Sequence, residues 1–272
     1  VTAKSKTLIP PITVGPRNAY TDPDTGLRFY TWQGVEYPSV TSVRNLAGMP
    51  HKLAAWRTNQ VIDRAITDNA TFQRMLADGT DPKAIATWLR AGANKERDAA
   101  ANLGTRIHDA AQAGMRLDKA PADIAPFLRW YLEWVSDSKI DIKLTERQVW
   151  NEGIGYAGTF DMLGLMKNQY WLIDLKTGKG TYPEHALQLE AYANAEFVGE
   201  DDIIDQPATD MLQQVTGRAI LHLRQDGYSF KIVPASERTW IAFRGLLAFA
   251  RWQYENPTID GLISRTIEKK AP

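Results

Sequence analysis

Asp161, Asp174 and Lys176 are three charges set within the run GTFDMLGLMKNQYWLIDLKTGK, residues 158–179, whose other members are largely apolar. Side chains at alternate strand positions share a face, so Asp174 and Lys176 point one way while Ile173 and Leu175 point the other. A two-residue turn at Lys167-Asn168, with Met166 opposite Gln169, sets Asp161 directly across from Asp174. A slip of one residue separates them. Adjacent carboxylates repel, and neither is readily left charged in an apolar setting. A divalent cation resolves that conflict, and oxygen donors of this kind suit Mg²⁺ or Mn²⁺. Such an ion lowers the pKa of bound water and neutralises charge on a phosphodiester, while Lys176 could orient the attacking water or stabilise a developing oxyanion. Taken alone, Asp-Leu-Lys fits a buried ion pair better than a metal site, with Asp161 a surface strand residue.

The elements that must position these charges can be followed along the chain. The first 20 residues, with Pro10, Pro11 and Pro16, read as an extended arm. LRFYTWQGVEYPSVTSV alternates around Gln33-Gly34 as a hairpin. From Arg44 to about Leu117 the signal is helical: HKLAAWRTNQVIDRAI, TFQRMLADG closed by Gly79, DPKAIATWLRAG with Asp81 as cap and Pro82 in the first turn, and NKERDAAANLGTRIHDAAQAGMRL. A further helix is expected over 121–138, then three strands (IKLTERQVWN, YAGTFDMLGLM, QYWLIDLKTG) and a helix from Pro183 to Val198. RAILHLRQDGYSFKIVP reads as a hairpin turning at Asp226-Gly227, and SERTWIAFRGLLAFARWQYEN as a closing helix. The expected class is mixed α/β (α+β): one domain over 21–272, with a helical lobe at about 40–138, a sheet core at about 140–233 and a closing helix at about 235–256.

Composition narrows the chemistry. The 272 residues include nine Trp and no Cys, which excludes disulfides, thiolate-bound zinc and iron–sulfur clusters and fits a reducing cytoplasm. No apolar run approaches the ~20 residues of a membrane span, and the N-terminal stretch lacks the hydrophobic core of an export signal. A G-x-x-x-x-G-K-[ST] loop is absent, so ATP use is not expected. Formal net charge is zero, but residues 1–116 carry 15 Lys+Arg against 10 Asp+Glu and the remainder 17 against 22. A basic N-terminal half suits phosphates, with carboxylates gathered elsewhere.

Gly158-Thr159-Phe160-Asp161, Asp174-Leu175-Lys176 and Gln188-x-x-x-Tyr192, in that order, resemble the core of the PD-(D/E)xK nuclease superfamily, and their spacing resembles its RecB-like exonuclease branch. Gly104-Thr105-Arg106-Ile107-His108 is similar to that branch's helical motif, and Glu146 stands where an early Glu precedes the strand carrying the first Asp. YPSVTSVRNLAG followed by KLAAWR resembles the N-terminal region of phage-encoded exonucleases and of the mitochondrial genome maintenance exonuclease. The resemblance spans residues 37–192.

It implies a restriction-endonuclease-like core and a metal-dependent DNA exonuclease, with one or two Mg²⁺ or Mn²⁺ ions held by His108, Asp161, Asp174 and the Leu175 carbonyl. Lys176 is then the catalytic lysine. Gln188 and Tyr192, on one helix face, line the site and touch the nucleic-acid backbone or order the ligands. Glu146 binds a second ion, holds water, or is a solvated surface residue. DNA is then held through phosphates, with Arg44, Lys52, Arg57, Arg64, Arg97 and Arg106 as candidate contacts; the polar loop of Thr177, Lys179 and Thr181 fits either a phosphate contact or a plain strand-to-helix connection. Trp56, Trp88, Tyr30 and Trp32 are candidates for stacking on bases as well as for the core. His51, His185 and His222 read as ordinary half-buried residues. The implied setting is phage or bacterial recombination or repair, with a recombination or annealing protein as a partner. A structure-selective endonuclease and a non-cleaving DNA-binding protein are the alternatives.

Overall fold

The computed structural model describes residues 19–23, 25–47, 51–256, 258, 262 and 263, without the side chains of 51–57, 92–98 and 100. All but the last two residues of the expected arm lie outside this set. Strands β1 (Ala19–Thr21), β2 (Arg28–Trp32) and β3 (Val35–Pro38) form a small antiparallel sheet. Gln33 and Gly34 join β2 to β3 with φ of 48° and 78°, as a tight hairpin turn of primed type requires. Helix α1 (Val40–Asn45) starts before the expected Arg44, because the Ser39 hydroxyl accepts from the Ser42 N–H and caps it.

Helices α2 (His51–Thr67), α3 (Asn69–Ala77) and α4 (Pro82–Gln112) follow. Asp81 caps α4 and Pro82 occupies its first turn, as the sequence predicts. The break expected near Gly92 does not occur, and α4 runs unbroken for 31 residues. One mid-helix glycine costs only about 1 kcal/mol relative to alanine, too little to end a helix anchored on both sides. The helix stops instead before Gly114, at φ 57°.

Helix α5 (Ala125–Ser138) leads into β4 (Asp141–Asn151), β5 (Tyr156–Met166) and β6 (Gln169–Lys176). Helix α6 (Glu184–Ala193) is shorter than expected. Val198 falls on β7 (Phe197–Glu200), where Phe197 and Val198 pair with Trp150 and Val149 and are buried. The sequence reading also missed β8 (Ile203–Ile204) and α7 (Gln206–Gln213). The chain closes with β9 (Val215–Arg224), β10 (Gly227–Ile232) and α8 (Glu237–Glu255). The last hairpin turns at Gln225-Asp226, one residue earlier than expected, with Gly227 already paired to Arg224.

The fold is mixed α+β: a seven-stranded sheet in the order β10-β9-β6-β5-β4-β7-β8, flanked by helices. Only β6 and β9 run parallel among its described pairings, which makes the sheet mixed. One face packs Leu163, Leu172 and Ile220 under α6 and α8, with Leu189, Phe243 and Leu247. The other packs Ile173, Leu175 and Leu221 under the C-terminal part of α4 and under α5, with Ile107, Leu128 and Trp134. Tyr30 and Trp32 are buried with Tyr37 against Trp150, so the core reading holds for both and neither is free to stack on a base.

Gly158 lies where β5 passes beneath α1 and α6. A Cβ there would sit 2.6 Å from Tyr192 Cε1 and 3.2 Å from Val40 side-chain atoms. Tyr192 is 2% and Val40 0% exposed, so neither has room to retreat. Gly158→Ala is expected to lower stability by about 1–3 kcal/mol, read as a reduced urea midpoint at unchanged slope.

Candidate metal and catalytic centre

The β5–β6 hairpin has the register the sequence predicts. Met166 pairs with Gln169, and Lys167 and Asn168 turn the chain with φ of 51° and 61°. The ladder ends at Met162↔Ile173, one rung short of Asp161 and Asp174. There the Asp161 side chain takes over from the backbone: its Oδ2 accepts the Leu175 N–H at 2.7 Å. The pleat slips at the same point. Phe160 packs with the α6–α8 layer and Met162 with the α4–α5 layer, although strand alternation would put residues two apart on one face.

The neighbouring strand is irregular at the same level. Glu146 lies between the pairs Thr145↔Met162 and Arg147↔Phe160, hence level with Asp161, and has φ 49°. A left-handed backbone at a non-glycine residue within a strand costs on the order of 1–3 kcal/mol and persists only where surrounding packing enforces it. The two irregularities together bring both carboxylates towards α4.

Helix α4 supplies the third group. Ile107, Ala110 and Ala111 are buried against the sheet, which turns the intervening His108 towards the strands. Gly104, one turn earlier, permits the approach: a Cβ there would lie 3.1 Å from Thr177 Oγ1. His108 Nε2 lies 3.0 Å from the Leu175 carbonyl oxygen and donates to it. That bond fixes the tautomer and leaves Nδ1 facing Glu146 Oε1 at 3.6 Å and Asp161 Oδ2 at 3.9 Å. An imidazole whose other N–H is bound to a carbonyl is the arrangement that orients histidine ligands of metals.

His108, Glu146 and Asp161 each offer a ligand atom, all within 4.8 Å of one another, and could hold a metal ion. They line a hollow completed by Tyr131, Thr145 and Leu175. Burial works against a charge on His108, but Asp161 and Glu146 outweigh it and raise its pKa above the ordinary value. A field that holds a proton there would also hold a cation.

The sequence reading chose His108, Asp161, Asp174 and the Leu175 carbonyl as ligands; the structure groups His108 and Asp161 with Glu146 instead. Asp174 stands outside that group. It is 2% exposed, its Oδ1 accepts from Lys176 Nζ at 2.5 Å, and its Oδ2 has no hydrogen-bond partner. Burial raises its pKa and Lys176 opposes the rise. The Leu175 carbonyl already accepts from His108. Lys176 links the two sets, with Nζ 3.9 Å from Asp161 Oδ2 and 3.3 Å from the Leu175 carbonyl oxygen. Glu146 had an ambiguous sequence signal because no local pattern announces a left-handed residue within a strand.

Gln188 and Tyr192 are buried, and Gln188 Nε2 donates to the Tyr192 hydroxyl at 3.1 Å. They support the strands from below and are not exposed to touch a nucleic-acid backbone. His185 is neutral by environment: burial, with Lys176 nearby, lowers its pKa to about 4, and its Nδ1 accepts the Tyr182 N–H. His222 is buried and donates from Nε2 to the Gly178 carbonyl at 2.7 Å.

Among the candidate phosphate contacts, Arg44 has buried Nε and Nη1 atoms without hydrogen-bond partners. Arg64 is committed to Trp88, lying 4.3 Å over its ring and donating to its carbonyl. The same contact accounts for Trp88. Arg106 forks onto Asp123 at 2.7 and 3.2 Å, both side chains about half exposed. Thr177 packs against Gly104, Thr181 accepts from Lys231 and Lys179 is exposed. The structures of Lys52, Trp56, Arg57 and Arg97 side chains lie outside the described set, as does that of His51.

Among the described residues, no helix is long and apolar enough to cross a membrane. No protein-family model and no curated protein sequence matches the chain. Among solved structures, an alkaline exonuclease, LHK-Exo, from Laribacter hongkongensis is similar over 47% of this chain at 9% identity and a TM-score of 0.32; the match spans 65% of its length, under two thirds. The protein SSO0001 is similar over 58% of this chain and 71% of its own, at 14% identity and a TM-score of 0.29.

Proposed function

We propose that the chain is a metal-dependent DNA nuclease of the PD-(D/E)xK superfamily, RecB-like in its motifs, which hydrolyses phosphodiester bonds from DNA ends. The observation that carries this reading is the meeting of His108, Glu146 and Asp161 beside Lys176, from one helix and three neighbouring strands. One imidazole and two carboxylates suit Mn²⁺ well and Mg²⁺ adequately. When bound, such an ion supplies Lewis-acid stabilisation of the phosphodiester and a more acidic water.

The protein groups have separable roles in this scheme. Glu146 and Asp161 provide negative charge, and Asp161 also holds the Leu175 N–H, so ligand and strand are positioned together. The His108 Nε2 bond to Leu175 keeps Nδ1 aimed at the carboxylates. Lys176 Nζ lies beside Asp174 and Asp161, where it would face the charge on an attacking water or a phosphoryl oxygen. Asp174 holds the lysine in place and enters the ligand set only if Lys176 releases it. Among the phosphate candidates, Lys179 is exposed in the loop after β6 and Arg106 is about half exposed. The cysteine-free chain offers no thiolate for an iron–sulfur cluster and suits a reducing, cytoplasmic setting.

Digestion of end-labelled single- and double-stranded DNA and of closed circles, with EDTA, Mg²⁺ or Mn²⁺, tests the proposal. Linear substrates should shorten only with metal, and circles should survive. Conversion of circles would replace the exonuclease by an endonuclease. Binding without cleavage in any lane would leave a DNA-binding protein on a nuclease-like site.

A further inference from the structure

Helix α8 buries Phe243, Leu247 and Ala250 against the sheet and turns a second, unusual face outward. Ile241 is 58% exposed, Phe249 48% and Trp252 49%, and the last two rings stack on each other at 6.0 Å. Arg238, Ala242, Gly245 and Ala248 are exposed between and beside them. These seven positions recur at the three- and four-residue spacing of a helix–helix seam. A Cβ added at Gly245 would meet nothing within 4 Å, so the middle of the face is open.

The face is also palindromic in chemistry. Counting outward from Gly245 in both directions, Ala242 matches Ala248, Ile241 matches Phe249, and Arg238 matches Trp252. A two-fold axis through Gly245 would lay two such helices antiparallel. Each alanine would meet an alanine and each isoleucine a phenylalanine. Each guanidinium would reach the partner's indole, a cation–π pairing. That reciprocity is what an isologous contact demands, since residue i must suit residue j in both directions.

We propose that α8 is the interface of a homodimer, with the second copy of this chain packed antiparallel across Gly245. Near the middle of the 19-residue helix, this crossing uses its full length of about 28 Å. A single helix pair lies near the lower bound of stable interfaces, roughly 1,000 Å² in total, so the dimer is a weak one, with dissociation in the roughly micromolar range. The proposal does not depend on the nuclease reading.

Sedimentation velocity on the full chain, from about 1 to about 100 µM, is expected to show a monomer–dimer equilibrium. Phe249→Asp combined with Trp252→Glu should leave a folded monomer throughout. Ile232→Asp, on a still more exposed apolar residue of β10, should leave the equilibrium intact. Because the chain has no cysteine, Gly245→Cys provides a second readout. Mild oxidation should trap a disulfide-linked dimer, whereas Asp226→Cys in the β9–β10 turn should not cross-link. A wild-type monomer across the range, as expected if another part of the chain covers this face, would overturn the proposal. So would an unchanged dimer in the Phe249→Asp/Trp252→Glu variant, or equal cross-linking at both cysteines.

Discussion

Asp161→Asn should abolish metal-dependent cleavage, with a loss of roughly a thousandfold or more, in a protein that folds as well as the parent. The substitution separates the two tasks of this side chain. The amide oxygen can still accept the Leu175 N–H that Asp161 Oδ2 holds at 2.7 Å, so the junction of β5 and β6 survives. What disappears is one negative charge from a group whose ligand atoms lie within 4.8 Å of one another. Without metal, that change relieves repulsion between Asp161 and Glu146 but also removes the attraction to Lys176 and His108, each 3.9 Å away, so the thermal midpoint should change little. With Mn²⁺, the parent should gain stability in proportion to ligand saturation, while the variant should lose most of that gain. Thermal melts with and without Mn²⁺, beside single-turnover cleavage, check both halves. Cleavage at the parental rate, or an undiminished Mn²⁺ shift, would remove Asp161 from the metal site.

Lys176→Met carries the second large effect, and it falls on stability as well as rate. The variant strips a 2% exposed carboxyl group of its hydrogen bond from Lys176 and leaves Asp174 without that partner in the layer beneath α6. Breaking a buried pair from one side costs about 3–5 kcal/mol. Because burial already raises the Asp174 pKa and Lys176 restrains that rise, removing the lysine pushes it further up. A group with a raised folded pKa favours the fold most when protonated. The deficit should therefore be greatest near neutral pH and shrink as pH falls through the raised value. Asp174→Asn/Lys176→Met should recover most of the lost stability and still fail to cleave. Urea titrations of the parent, Lys176→Met, Asp174→Asn and the double variant at pH 5 and pH 8 (~three units apart) measure the cycle. Equal stability of Lys176→Met and parent at both values would mean that the pair contributes nothing to the fold.

Much of the scaffold was legible in the sequence because it is written in local chemistry. Asp81-Pro82 starts α4, Lys167-Asn168 turns the β5–β6 hairpin, and that turn fixes the register down to Met162↔Ile173. Alternation placed Ile173 and Leu175 in one layer and Asp174 in the other. Residues 82–112 were divided at Gly92 and residues 194–198 were added to α6 for the same reason. A single glycine and a short apolar run are weak local signals, whereas packing on the finished sheet sets how far each element continues.

Residue types and spacing by themselves determined that charged groups at 108, 161, 174 and 176 sit among apolar elements of a mixed α+β sheet protein, without cysteine chemistry. Tertiary structure decided which of them meet. The strand register alone would leave Asp161 facing Asp174. The left-handed backbone at Glu146 and the slipped pleat at Asp161 turn those two carboxylates towards His108 instead, while Asp174 stays with Lys176. Such irregularities have no local signature, because a strained backbone conformation is held by the packing of distant segments, here α4 against β4, β5 and β6, rather than by the preference of the residue that adopts it.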